Sequence, residues 1–461
     1  MKARNIIILT ILLLLTNLGF GQEVKSYSLR EAQDFALQNS AEVKSAKLDN
    51  QIAQKKIWEI KSIGLPQINA TGNYQHQFVV PTLNFGGTTS LALEPSQPSG
   101  TPLTSDMVGK ELFLKYNPGT PIPLGLMDNT TIDFTLSQLV FSGAYIVGLK
   151  ASKIYFQISD LSLQKSNIDM KEAVANTYSG VLILEGGLNI MESSLTNLRK
   201  TLSEMREINK QGLNEDTDVD QIELTSLNIV NAISTLKRRI SATYNFLKFQ
   251  MGVPLEDKII LKDNLQSMLV SIDLASATNK QFNVQDNITY KMMNTQEQFG
   301  RLAWRREKSN YLPNLAAFYR HTEFVNQPAF NFTPKDILGL TLNIPILSSG
   351  QRIVMVQQKK MELDKITISK AKAVEGVKLD YMNALDDMNS TYEKYMNEKK
   401  NIDLTKRIYD KTIIKFQEGI SSSLDLTQVN NQYLAAQTNY YEAMYSLMTA
   451  KNKLDRILNN Q

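Results

Sequence analysis

Cysteine is absent from all 461 residues, so disulfides, thiolate nucleophiles and cysteine-bound metals are excluded. Histidine occurs only twice, as His76 and His321, without clustered partners, so no metal site is expected. Beyond an initial apolar run, no stretch of 18 apolar residues appears, so no membrane-spanning helix is expected. Charge of either sign is scarcely in excess: 50 Lys and Arg face 46 Asp and Glu, a net +4. That balance gives no argument for nucleic acid as a partner. There is no phosphate-cradling glycine loop, no nucleophile elbow and no His-Glu metal helix. Carboxylates lie beside lysines, as on solvated helix faces. No catalytic residue, cofactor or metal is assigned, and an enzyme is not expected.

What is present begins at the N-terminus. Met1-Lys-Ala-Arg precedes a largely apolar run from Ile6 to Leu18, then Gly19-Phe-Gly21 before Gln22. Charged start, short apolar core and small-x-small site form a secretory signal-peptide pattern over residues 1–21. No cysteine follows to carry a lipid anchor, and an exported chain without cysteine suits a periplasm or outer membrane.

The rest reads as one unit used twice. Leu65-Pro-Gln-Ile recurs as Leu312-Pro-Asn-Leu, and Phe141-Ser-Gly143 as Leu347-Ser-Ser-Gly350. Gly143 to Gly212 is 69 residues, and Gly350 to Gly419 is again 69. Each of Gly212 and Gly419 is followed six residues later by an aspartate, Asp218 or Asp425, and then by a second helical run. Glycine supplies the positive φ of a tight turn, and an Asp ahead of a helix is expected to cap its free amides. The first repeat spans residues 22–253, with hairpin tip near 212–220. A linker over 254–283, expected to pack as a small belt, leads to the second repeat over 284–461, with tip near 419–427.

Two periodicities define the elements. Positions 222, 226, 229, 233, 236, 240, 243 and 247, and the same positions 207 residues later, alternate steps of three and four. That is a heptad seam. The first copy carries Ile and Leu where the second carries Tyr and Ala, so the seams are expected to meet different neighbours. The 69-residue runs from Gly143 to Gly212 and from Gly350 to Gly419 would reach roughly 100 Å as helix at 1.5 Å per residue. Elsewhere the period is two. Ile68, Ala70, Gly72, Tyr74, His76 and Phe78 alternate with Asn69, Thr71, Asn73, Gln75 and Gln77. Ile132, Phe134 and Leu136 alternate with Asp133, Thr135 and Ser137, and Leu338, Leu340, Leu342 and Ile344 continue the theme. One apolar and one small-polar face is the pattern of a membrane β-barrel strand around a wet lumen. Strand pairs are expected at about 67–80 with 130–141 and 314–325 with 337–347. The strand near 314–325 is placed by the repeat rather than by its own alternation. A Pro-, Gly- and Ser-rich loop over 81–128 is expected to project from the first pair, with short strands within it.

Together with Ser28-Leu-Arg-Glu-Ala-Gln-Asp-Phe-Ala-Leu37, these ordered, duplicated motifs resemble the TolC-like outer-membrane efflux protein family over essentially the whole mature chain. The resemblance implies a mainly α protein with membrane β-structure. A homotrimer shares one 12-stranded barrel, four strands per subunit, continued by a long α-helical coiled-coil barrel. It implies a passive exit duct in the outer membrane of a Gram-negative-type bacterium, extending into the periplasm. The implied system is tripartite efflux or type I secretion, with a periplasmic adaptor, an inner-membrane transporter and outer-membrane lipid as partners. Physics adds one independent constraint: four strands cannot close a barrel, and an open edge in lipid leaves backbone groups unsatisfied. The alternative is a periplasmic coiled-coil scaffold that buries its strands within one chain.

Departures from the family pattern bear on the tip. Asn39-Ser40 stands where Asn-Pro is usual, Phe416 where a Tyr is usual, and Ser421 where an Arg pairs with the first tip's aspartate. Asp218 therefore lacks its usual partner, leaving Lys411 and Lys415 as candidates. Glu215, Asp216, Asp218, Asp220 and Asp425 are weighed as an acidic ring at a constriction against capping and solvated surface. Tyr74, Phe78, Phe318 and Tyr319 are candidates for an interfacial aromatic belt, ahead of Trp58 and Trp304.

Overall fold

The structure is a computed structural model that describes residues 25–84, 86–93, 112–117, 119, 121–212, 215–270, 282–327 and 331–458. The expected signal peptide, 1–21, lies outside the described residues, as do the middle of the 81–128 loop and the end of the 254–283 linker. In chain order come β1 (Lys25–Tyr27), α1 (Leu29–Asn39), α2 (Ala41–Ser62), β2 (Gln67–His76), β3 (Thr82–Asn84) and β4 (Thr88–Leu93). There follow β5 (Leu112–Asn117), β6 (Pro121–Pro123), β7 (Asp128–Ser142), α3 (Gly143–Lys210), α4 (Asp216–Met251), β8 (Ile259–Leu261) and α5 (Leu265–Val270). The second copy supplies α6 (Ile288–Ser309), β9 (Asn314–Phe324), β10 (Asp336–Asn343), α7 (Gln351–Gln417) and α8 (Ser423–Ile457).

Two compact units result, and neither coincides with a repeat. One takes Ile57–Lys150 and Leu302–Gln357; the other takes Met1–Lys56, Ala151–Arg301 and Gln358–Gln461. Each unit therefore combines the matching parts of both copies.

The first unit is built on an antiparallel sheet in the order β10-β9-β7-β2. Strand β2 stops at His76, short of the expected 80, and β10 stops at Asn343, because Pro345 has no amide to donate. Beyond β2 and β7 the chain zips into two further ladders, β3 with β6 and β4 with β5, within the loop expected to hold short strands.

In β7 the apolar Ile132, Phe134 and Leu136 are exposed, whereas the polar Asp133, Thr135 and Ser137 between them are partly covered. Cross-strand register aligns Phe134 with His321 and Leu136 with Tyr319, then Tyr319 with Leu338. One face thus carries the apolar residues of all four strands. The other carries Asn73, Asp133 and Thr322, joined by Asn73 Nδ2 to Asp133 Oδ2 at 3.1 Å and Thr322 Oγ1 to Asp133 Oδ1 at 2.5 Å. Phe318 lies on this second face, where it occupies the space a side chain at Gly339 would need, so it is not a belt residue alongside Tyr319.

The second unit is helical. The α4 seam buries Ile222, Ser226, Ile229, Ile233 and Leu247. The α8 seam buries Tyr433, Ala436, Ala443, Leu447, Ala450 and Leu454, and a second stripe buries Leu426, Asn430, Gln437 and Met444. The tyrosines of the second seam, Tyr433 at the place of Ser226 and Tyr440 at the place of Ile233, find their reason in α7: Tyr433 stacks on Tyr409 at 5.3 Å and Tyr440 on Tyr395 at 5.8 Å. Within the linker, β8 pairs in parallel with β1. Leu29 N donates to Asp263 Oδ2 at 2.6 Å, and Tyr178 donates to the Tyr27 carbonyl at 2.9 Å. Although no proline stands at position 40, the first helix still breaks there, and the Ser40 hydroxyl accepts from Val43 N at 3.3 Å to start α2.

Candidate functional site

The two hairpin tips are built alike but capped differently. Gly212 and Gly419 have φ of +74° and +71°, and a Cβ at either would meet open space. Backbone conformation, not crowding, demands glycine at both turns. The aspartates expected to be N-caps are not the caps. Glu215 is the N-cap of α4, its Oε2 accepting from the Thr217 hydroxyl at 3.2 Å rather than from a helix amide, and Ser422 is the N-cap of α8. Asp218 and Asp425 each sit three residues inside. In the second tip this completes a capping box: Ser422 Oγ accepts from Asp425 N at 3.0 Å, and Asp425 Oδ2 accepts from Ser422 N at 3.1 Å. The Ser422 hydroxyl also donates to Asp425 Oδ2 at 2.8 Å, and these bonds hold the Asp425 carboxyl below the usual carboxylate range.

Freed from capping, Asp218 reaches the other tip. Its Oδ1 accepts a hydrogen bond from the hydroxyl of Ser423, a buried residue. Asp218 therefore has a partner after all, two residues beyond the Ser421 that stands where an arginine was sought. Gln417 Nε2 adds a second link between the hairpins, donating to Glu204 Oε2 at 2.9 Å. Among the described residues neither Lys411 nor Lys415 forms an ion pair; the Lys415 carbonyl instead accepts from Ile420 N at 2.8 Å in the turn. Glu215, Asp216, Asp220 and Asp425 are exposed, with Asp216 Oδ1 accepting from Asn209 Nδ2 at 3.0 Å. Among the described residues Asp218 alone of these five acids is drawn into a contact between hairpins.

A second constellation, absent from the sequence reading, lies on the apolar face of the sheet. Tyr74 OH donates to Asp128 Oδ1 at 2.7 Å, and His76 Nδ1 lies 2.8 Å from the same oxygen. In the other copy Tyr319 OH donates to Asp336 Oδ1 at 2.6 Å, with His321 Nδ1 at 2.7 Å. Both histidines of the chain are thus Tyr-x-His members of matching clasps, each closing a strand pair where its second strand begins. The signal was the echo of Tyr74-Gln-His76 in Tyr319-Arg-His321. Among the described residues no group of three or more His, Asp or Glu is arranged to hold a metal ion.

A sheet with an exposed apolar face, paired with heptad hairpins in a duplicated chain, defines the fold of the TolC-like outer-membrane channels. Known structures agree. The chain superposes on the CusC structure, described in terms of folding and transmembrane channel formation, with TM-score 0.72, 12% identity, and 96% of this chain and 94% of that chain covered. The outer membrane channel CmeC of Campylobacter jejuni gives TM-score 0.70 at 15% identity over 93% and 85% of the two chains. The MtrE outer membrane channel of Neisseria gonorrhoeae, solved in an open state, gives 0.69 at 13% identity over 93% and 88%. No protein-family model matches the sequence, and no curated protein does.

Proposed function

We propose that this chain is the outer-membrane exit duct of a tripartite efflux or type I secretion system. It acts as a homotrimer that carries solutes or proteins passively from an inner-membrane transporter through a periplasmic adaptor. The observation that carries this reading is the inverted sheet. Ile68, Leu338 and Leu340 are 75%, 80% and 72% exposed on its apolar face. An apolar face of that kind is a cost in water and an advantage in lipid. Its outer strands, β2 and β10, each pair on one side only. Lipid offers no partner for the remaining N–H and C=O groups, so β2 of one copy pairs with β10 of the next until the sheet closes. Three four-stranded sheets give the twelve strands the family resemblance implies.

In this reading the polar face, with Asn73, Asp133, Arg320 and Thr322, lines a wet lumen, and Tyr74 and Tyr319 sit in the interfacial belt. The hairpin tips meet the adaptor. Glu215, Asp216 and Asp220, together with Asp425, ring the constriction and favour cations. The Asp218–Ser423 bond helps hold the tips closed.

The test is purification of the mature chain from membranes, followed by native mass measurement in detergent and conductance in a planar bilayer. A detergent-dependent trimer that forms pores is expected. A water-soluble monomer without conductance would instead support the scaffold alternative.

A further inference from the structure

The helical unit contains a cleft of about 910 Å³ between α3, α4 and α8, with Lys394 of α7 at its wall. That volume lies in the range of small-molecule sites. Its origin is legible in α3. Gly180 and Gly187 stand one heptad apart where a ridge of side chains would otherwise fill the groove. A Cβ at Gly180 would lie 3.4 Å from the Tyr445 ring, and one at Gly187 would lie 3.6 Å from the Tyr441 ring. The two tyrosines form an aromatic wall, and burial pushes the Tyr441 phenol up to about 12, so it stays neutral.

Arg239 and Lys394 are cations, and Glu442 is the one acid that lines the cleft. Neither cation forms an ion pair among the described residues, and both are exposed. Gln437, also lining the cleft, is 1% exposed, and neither of its amide atoms has a hydrogen-bond partner among the described residues. A buried amide left unpaired is costly. The two cations on the cleft wall match an occupant that carries an acid group.

We propose that this cleft binds an amphipathic organic anion, its apolar body on Tyr441 and Tyr445 and its acid group at Arg239 and Lys394. As a statement about cargo this rests on the duct reading; as a statement about binding it does not.

The full-length protein in lipid nanodiscs is titrated with 1-anilinonaphthalene-8-sulfonate, with N-phenyl-1-naphthylamine as the comparator lacking the sulfonate and empty nanodiscs as background. Saturable sulfonate binding, one site per chain, is expected. Combining Arg239→Gln with Lys394→Gln weakens it about tenfold, the effect of losing charge-assisted contacts, and changes the neutral probe little. Gly187→Leu, which fills the groove, removes the saturable component for both probes. The proposal is overturned if wild-type binding does not saturate, as when a second copy covers the cleft. It is equally overturned if the charge variant, whose exposed positions leave folding intact, binds the sulfonate unchanged. Bilayer conductance is recorded separately. Pores without saturable binding sink the cleft alone, and binding without pores sinks the duct alone.

Discussion

His321 Nδ1 lies 2.7 Å from Asp336 Oδ1, and in the other copy of the repeat His76 keeps 2.8 Å to Asp128. The same carboxylate oxygen also accepts the hydroxyl of the tyrosine two residues before each histidine. Exposed ion pairs contribute little, and hydrogen bonds to a charge somewhat more, so each clasp is expected to add only slightly to stability. Asp128→Ala and Asp336→Ala should each lower the thermal midpoint slightly. The double variant should show the sum, since the clasps share no partner. Thermal unfolding in detergent reads this, and a double effect well above the sum refutes their independence.

The contact between Asp218 and Ser423 joins the two tips. Ser423→Ala should cost about 1–2 kcal/mol, because it leaves a half-covered carboxylate without its donor. Asp218→Asn should act on the same bond, so the two changes together should cost less than their sum. Hydrogen exchange at residues 215–226 and 422–430 reports the loosening. In bilayers the duct reading adds that either variant raises mean conductance. Strict additivity would show that the bond carries no coupling.

Ser422→Ala should cost about 1 kcal/mol, the usual worth of a serine N-cap. The pH response follows from Asp425. Its carboxyl is held below the usual range by the Ser422 hydroxyl and amide, so the folded state favours the charged form. That stabilisation is complete above the ordinary carboxylate pKa of about 4 and fades as pH falls through the lower folded value. Amide protection factors at residues 423–427, corrected for intrinsic exchange, should fall in acid in the wild type, and Asp425→Asn should flatten the response. An unchanged acid response in that variant assigns the effect elsewhere.

Asn430 is 0% exposed, and neither amide atom has a partner among the described residues. Replacing a buried, unpaired amide by an isosteric apolar group removes a desolvation cost of about 1–3 kcal/mol. Asn430→Leu should therefore raise the unfolding midpoint. A lowered midpoint would mean that the amide serves an interaction made only in the assembled protein.

Gly252 and Gly212 both have φ of +74°, yet their substitutions should differ. A Cβ at Gly252 would lie 2.5 Å from the Asn39 carbonyl oxygen, whereas one at Gly212 meets open space. Gly212→Ala should cost about 1 kcal/mol, from backbone strain alone. Gly252→Ala adds a backbone clash and should cost clearly more, which chemical denaturation can measure. Equal costs would mean that the α1–α4 contact yields freely.

Much of this was legible in the chain because the sequence states its periods twice. Heptad steps at 222–247 and their copy at 429–454, and alternation at 68–78 and 132–136, fix element type, since a face can be buried or exposed only at its own period. Glycine stands at 212 and 419, where φ is positive, because positive φ is a local demand. Cap identity was misjudged at both tips. An aspartate near a helix start reads equally as N-cap or third residue, and only the position where the backbone turns helical decides. Ser422-Ser-Leu-Asp425 did carry the capping-box spacing.

By itself the sequence determined the repeat, the two-faced strands and the long seams, all of which depend on near neighbours along the chain. Only the tertiary structure decided which residues meet from distant positions. Examples are Ser423 with Asp218, Tyr433 with Tyr409, and Tyr319 with Leu338. Those outcomes depend on how helices and strands are laid side by side. A shift of one residue in register reverses a strand's faces, and a shift of one turn exchanges a helix's partners.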